Sequence, residues 1–422
     1  MSTGQGNQMT KGSRLLTIFV LITMISVTWS PTALAELEWD DDGWLTTSLA
    51  DDRLESGDEF GCYQMLHLSW KLDPGAMAIE CKEYIETKIN ASKWGSNAIS
   101  TYTPSSLTMS QHEIIANQGL TVHGDNNGLQ ESAWHDSQDV PVDLWDWYNL
   151  GRRGGSLEQI VGSIDTVIDA VEEGGLVNLY WIGRVDGASI RYDRDIANYL
   201  NDDADAWLTT WGESWSYWTV DRCYEFIDDL VQQENETILY FESLQAESCN
   251  SVAPDAWDVP ITWKIDTNGV NISEIRIIDL ELGNKTLPNI AGARNSAEGW
   301  FQHSGEYLHL SVLNGHKVEI HFSQQSNEHD VIGRSQFWNN HTAAITIASH
   351  QTSDLFLWSK GFTDYDSIKF TWLVEPRLSD GYSIWLPISV IVIASSTVLG
   401  MLYLLKRDDI GMLVETESPK KG

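Results

Sequence analysis

The sequence predicts an α/β domain followed by an all-β domain and a single transmembrane helix. Three observations carry this. Helix-period and strand-period segments alternate as far as Cys249, which implies βαβ units and a parallel sheet. From Pro260 onward the chain reads as short alternating strand runs separated by turn residues. Residues Ile384–Leu405 form a stretch of 22 residues without a charge, the length a helix needs to cross a bilayer. The expected boundaries are 1–35 for a signal peptide, 36–249 for the α/β domain and 250–380 for a β-sandwich. The membrane helix then spans 384–405, and 406–422 form a cytoplasmic tail.

The ends set the expected compartment. Lys11 and Arg14 precede the apolar run 15–27, and Ala33-Leu-Ala35 follows it, the n-region, h-region and cleavage-site pattern of a secretory signal. Trp385 and Tyr403 stand near the ends of the apolar stretch, and Lys406-Arg407 follow it. Interfacial aromatics and a basic flank orient such a helix with its tail inside. The expected location is a cell membrane, with the ectodomain outside.

A formal net charge of −35 repels nucleic acid and anionic headgroups, which removes those partners. The chain has 4 cysteines, Cys62, Cys81, Cys223 and Cys249, as expected of disulfides in an oxidising compartment. Three pairings exist, and local closure favours 62–81 with 223–249. No CxxC spacing or Cys/His cluster marks a structural zinc site. N-x-S/T sequons at Asn90, Asn235, Asn271, Asn284 and Asn340 permit glycosylation.

Within the first domain, Ala76–Ile89 reads as a helix, Ala98–Tyr102 as a strand, and Ser110–Glu113 as a capping box opening a short helix. Leu120–His123 is the next strand. Apolar residues at one-face spacing over Ser156–Val171, closed by Gly174-Gly175, predict the clearest helix. A strand Leu176–Ile182, a helix near Asp193–Leu200 and a strand Trp207–Trp211 follow. A helix near Ser216–Leu230 and a strand Thr237–Phe241 complete the domain. The second domain has strand runs at 261–265, 274–280, 307–313, 318–322, 344–348, 356–358 and 368–373.

The segment 174–220 resembles the end of the polysaccharide deacetylase family (NodB homology domain, carbohydrate esterase family 4). An apolar strand is followed by a helix and by Trp207-Leu-Thr-Thr-Trp-Gly-Glu213, similar to that family's terminal strand motif. Upstream, 99–107 and Gly119–Asp125 resemble its earlier strands, and the likeness covers roughly residues 95–265. It implies a distorted (β/α) barrel acting on acetylated glycans, with a divalent metal, zinc or manganese, activating water. The family's Asp-Asp corner matches Trp39–Gly43, which places Asp41 as base and Asp42 as ligand. His123, Asp125 and His135 stand for the remaining metal ligands. Trp181 occupies the place of the acid histidine and cannot shuttle a proton.

The chain carries 20 tryptophans. Indole faces stack on sugar rings, so Trp211, Trp215 and Trp218, with Glu213 beside them, are the expected carbohydrate-binding residues. No G-x-S-x-G elbow supports nucleophilic catalysis, and no Walker or dinucleotide glycine pattern opens a helix. The expected function is that of a membrane-anchored extracellular protein binding a glycan through a domain that has lost the deacetylase chemistry. The alternative is an active metal-dependent deacetylase of surface or environmental polysaccharide.

Overall fold

The computed structural model describes residues 42–124, 129, 148–157, 163–182, 194–221, 223–234, 236–252, 254–278, 283–377, 388, 392–403 and 406. Residues Trp39–Arg377 form one compact unit, and the two chain ends belong to a second.

After a 3-10 turn at Trp44–Thr46 comes the helix Ser48–Ser56, closed by Gly57 in the left-handed conformation that glycine adopts without strain. Strand β1 (Glu59–Cys62) is buried throughout. The helix Pro74–Glu86 follows, with the Asp73 carboxylate accepting the Ala76 N–H and Pro74 opening the first turn, where its missing donor costs nothing. The Cys62–Cys81 disulfide ties this helix to β1. The helix Met109–Ala116 has its capping box at Thr108 and Gln111, a frame earlier than Ser110–Glu113. The helix Ile164–Glu173 leads into β2 (Gly175–Trp181), and β3 (Trp207–Thr209) precedes the helix Trp211–Asp221.

The chain then lays down β4 (Tyr224–Gln232), β5 (Thr237–Gln245), β6 (Ile261–Asp266), β7 (Ile272–Ile277), β8 (Lys285–Thr286), β9 (Gly299–Gln302), β10 (Leu308–Val312), β11 (Lys317–Phe322) and β12 (Asp330–Arg334). These form two antiparallel sheets, ordered β4-β5-β11-β7-β8 and β12-β6-β10-β9. The chain then returns. β13 (Ala343–Thr352) pairs in parallel with β2, β3 and β14 (Thr371–Val374), and β14 pairs in parallel with β1. Single parallel bridges continue around from β1: Cys62 to Thr101, Ser100 to Val122, His123 to Asn149, and Ser156 to Tyr180 on β2.

This corrects the expected order. The parallel sheet does not end at Cys249 with a sandwich and a membrane helix after it; the antiparallel sheets are inserted between β3 and β13. The runs 344–348 and 368–373 belong to the parallel sheet, and 356–358 lies in the helix Leu355–Ser359, capped by the Asp354 carboxylate. The ambiguity is physical: β13 and β14 are buried on both faces, so their apolar runs carry no period that separates parallel from antiparallel pairing. The helix expected over 216–230 ends at Asp221, and β4 takes up its second half.

The expected transmembrane helix over 384–405 is also corrected. Among the described residues no helix is long and apolar enough to cross a membrane. The signal sequence expected over 1–35 lies outside the described residues.

Trp181, in the place matched to a histidine, is fully buried. Its ring meets Trp358, Phe362 and Trp372 edge-on at 5.5, 5.1 and 6.4 Å, so it packs the core beneath the sheet.

Candidate functional site at the C-terminal ends of the parallel strands

Parallel strands all point the same way, so the residues just past their C-termini collect at one end of the sheet. Here these are Tyr63 and Gln64 after β1, Tyr102 and Thr103 after the Thr101 bridge, His123, Tyr180 near the end of β2, His350 and Gln351 near the end of β13, and Glu375 after β14.

They form a cluster of rings. Tyr63 and Tyr102 stack with centroids 4.8 Å apart. His350 stands edge-on to Tyr102 at 5.3 Å, to Tyr63 at 6.2 Å and to Tyr180 at 6.3 Å. The Arg152 guanidinium lies 4.2 Å over the Tyr180 ring, a cation–π contact. Tyr63, Tyr102 and Tyr180 are half-buried and Arg152 is exposed, so the cluster meets solvent on one side.

Backbone irregularity shapes the site. The pairing of β13 with β14 shifts register between Ser349 and Thr352, and Gln351 has φ 58°. A non-glycine residue in the left-handed region costs free energy and persists where the surroundings enforce it. The shift aims His350 into the ring cluster while Thr352 regains its pairing with Val374.

Glu375 supplies the acid at the rim. Its carboxylate accepts the Gln64 amide at 2.7 Å. Burial raises its pKa above the ordinary 4.5, and bonds from Gln64 and Gln351 offset part of that shift. Below the rings, Asn178 on β2 organises the interior. Its carbonyl accepts from the Trp211 indole at 2.8 Å and the Thr346 hydroxyl at 2.9 Å, and its amide reaches the Gly124 and Gly151 carbonyls. A Cβ at Gly124 would overlap the Trp211 ring.

The residues expected from the sequence are placed as follows. Asp41, Asp125 and His135 lie outside the described residues. Asp42 is buried and accepts the Trp44 N–H at 3.2 Å, the Tyr84 hydroxyl at 2.8 Å and the Arg377 N–H. Burial first, then the Asp42 charge, hold the Tyr84 phenol well above its usual range. His123 is fully buried between Tyr102, Tyr148 and Trp211, and its Nε2 accepts the Thr103 N–H at 2.8 Å. Asp42 thus serves a packed corner and His123 the ring cluster. Among the described residues no group of three or more His, Cys, Asp or Glu is placed to hold a metal.

Trp211, Trp215 and Trp218 are buried to 1, 2 and 4% exposure. As placed, they offer no face to a sugar. Glu213 accepts the Trp94 indole at 2.8 Å and the Thr209 hydroxyl at 2.9 Å. Both expected disulfides are present, Cys62–Cys81 and Cys223–Cys249.

Tyr63, Gln64, Tyr102, His350 and Glu375 were not anticipated. No local signal marks them: Tyr102 lies inside the expected strand Ala98–Tyr102, and the others gain meaning only once the strand order is known. No protein-family profile, no characterised protein and no solved structure matches this chain.

Proposed function

We propose that the protein binds a glycan at this strand-end site, as a binding module in an oxidising compartment outside the cytoplasm. The observation that carries the reading is the stacked Tyr63–Tyr102 pair with His350 and Tyr180 set edge-on beside it. Half-buried aromatic rings take the apolar face of a sugar, and Arg152, Gln64 and Glu375 around them supply hydrogen bonds to hydroxyls. Two disulfides support the compartment, since thiols stay reduced in the cytosol.

Binding is favoured over metal-dependent deacetylation because His123 is fully buried among Tyr102, Tyr148 and Trp211, with its Nε2 against the Thr103 backbone. The test is a glycan array followed by calorimetry with the full chain. Tyr102→Ala is expected to weaken binding of the best glycan about tenfold, the value of about one aromatic contact, and Trp218→Ala to leave it unchanged. Binding indifferent to Tyr102→Ala would refute the site. Acetate released from acetylated oligosaccharide in the presence of zinc or manganese would replace binding with hydrolysis.

A further inference from the structure

A different surface, away from the strand-end rings, carries an inference of its own. β4 is a nine-residue strand whose only strand partner among the described residues is β5. Which of its backbone groups face outward follows from the register. The Ala246 N–H donates to the Cys223 carbonyl at 2.9 Å before the paired stretch, and the Gln233 N–H donates to the Glu236 carbonyl at 2.8 Å after it. In an antiparallel ladder bonded and non-bonded pairs alternate. Glu225, Ile227, Asp229 and Val231 therefore spend their N–H and C=O groups on β5. Tyr224, Phe226, Asp228, Leu230 and Gln232 turn theirs away from the sheet.

Both ends of this outer edge are occupied. The Arg334 guanidinium donates to the Tyr224 carbonyl at 2.6 Å. The Gln232 side chain is bonded to the Ser326 carbonyl at 3.3 Å and to Asn327. Between them, about 17 Å of edge from Phe226 to Leu230, at about 3.4 Å per residue, has no backbone partner among the described residues, and His329 reaches the Asp228 carboxylate at its middle. Ile227 is 58% exposed in this window and Phe226 is 38% exposed.

The side chains choose the occupant. Glu225, Ile227 and Asp229 alternate along the outer face, and Asp228 is held by His329. The strand carries no cation. A second copy pairing antiparallel to itself would set acid against acid on a chain of formal charge −35, and like charges directly opposite are destabilising. Charges alone can serve to keep an edge unpaired. Here they flank an exposed isoleucine beside backbone donors and acceptors without a partner among the described residues, a combination that also favours a cationic strand. We infer that the outer edge of β4 docks an extended segment of another protein with a Lys-x-apolar-x-Lys pattern, which adds as a further strand to this sheet.

The test is fluorescence anisotropy with the full chain and a labelled nonapeptide centred on Lys-Thr-Val-Thr-Lys. Saturable binding is expected, weakened at least about tenfold when both lysines become glutamates, and likewise by the double substitution Glu225→Lys and Asp229→Lys at exposed positions. Two peptides N-methylated on alternate residues separate backbone pairing from simple charge attraction, because only one set of N–H groups faces β4. One of them should lose binding and the other keep it. Absence of saturable binding overturns the inference. So does equal binding by the unmodified and both methylated peptides, or by the doubly substituted chain.

Discussion

Glu59 shows how much one side chain depends on its place. It opens β1, is fully buried, and accepts the Gly212 N–H at 2.8 Å and the Thr371 hydroxyl at 3.2 Å. Burial raises its pKa above the ordinary 4.5, and hydrogen bonds from Ser100, Gly212, Thr210 and Thr371 offset only part of the rise. Between pH 4.5 and the raised value, the folded state therefore holds a proton that the unfolded chain releases. Its stabilising share is complete below pH 4.5 and is lost as pH rises through the elevated folded value. Glu59→Gln keeps the acceptor and removes the titration. The variant's urea midpoint is expected to exceed that of the parent at pH 7 and to converge on it near pH 4. The difference in slope should be at most about 1.4 kcal/mol per pH unit. A parallel pH profile for the two proteins would show that Glu59 is ionised in the fold. Asn178 is the corresponding neutral case. Asn178→Ala leaves the Trp211 indole and the Thr346 hydroxyl without their acceptor, and chemical denaturation should register a loss of about 3 kcal/mol. Neither residue differs in the sequence from the many acids and amides that lie on the surface.

At the level of elements, the stop of one helix was legible, while the starts expected at Ser156 and Ser110 fall instead at Ser163 and Thr108. Gly174 closes the helix Ile164–Glu173 with φ 82°, where the glycine pair in the sequence placed the stop. Helix and strand are confused where an apolar segment lacks a clear period, as over 216–230, which divides into a helix end and the edge strand β4. Two elements meet at Gly212, in the first turn of the helix Trp211–Asp221. A Cβ there would overlap the Trp257 ring, whose indole donates to the Asn97 carbonyl at 3.0 Å. Gly212→Ala is thus expected to unfold at a lower temperature by an amount equivalent to about 2 kcal/mol or more, the range for overpacking a core. A calorimetric melting temperature equal to the parent's would contradict this packing. The disulfides act between elements as well. Cys62–Cys81 closes 19 residues and Cys223–Cys249 closes 26. Reduction at neutral pH should lower the denaturant midpoint by the equivalent of about 3 kcal/mol per bridge, measured with and without reductant.

For the molecule as a whole, charge dominates. With 61 acids against 26 lysines and arginines, the compact state repels itself, and salt weakens that repulsion. Raising sodium chloride from about 0.1 M to about 1 M shortens the screening length from about 10 Å to about 3 Å. The melting temperature is expected to rise by a few degrees, and a fall would mean that attractive ion pairs outweigh the repulsion. The same acidity leaves the β4 edge a poor partner for its own kind.

Legible in the sequence were the charge, the disulfide pairs favoured by local closure, the alternation of helix and strand as far as Asp221 and the antiparallel runs between Pro260 and Phe322. Each of these is set by residues close together in the chain. Tertiary structure alone decided that β13 and β14 return across more than a hundred residues to complete the sheet that β1 begins. It also decided that Tyr63, Tyr102, Tyr180, His350 and Glu375 share one end of that sheet, while Trp211, Trp215 and Trp218 lie within the core. The reason is that a strand run buried on both faces specifies its own extended shape and its burial but not its neighbours. A site assembled from strand ends exists only after the neighbours have been chosen.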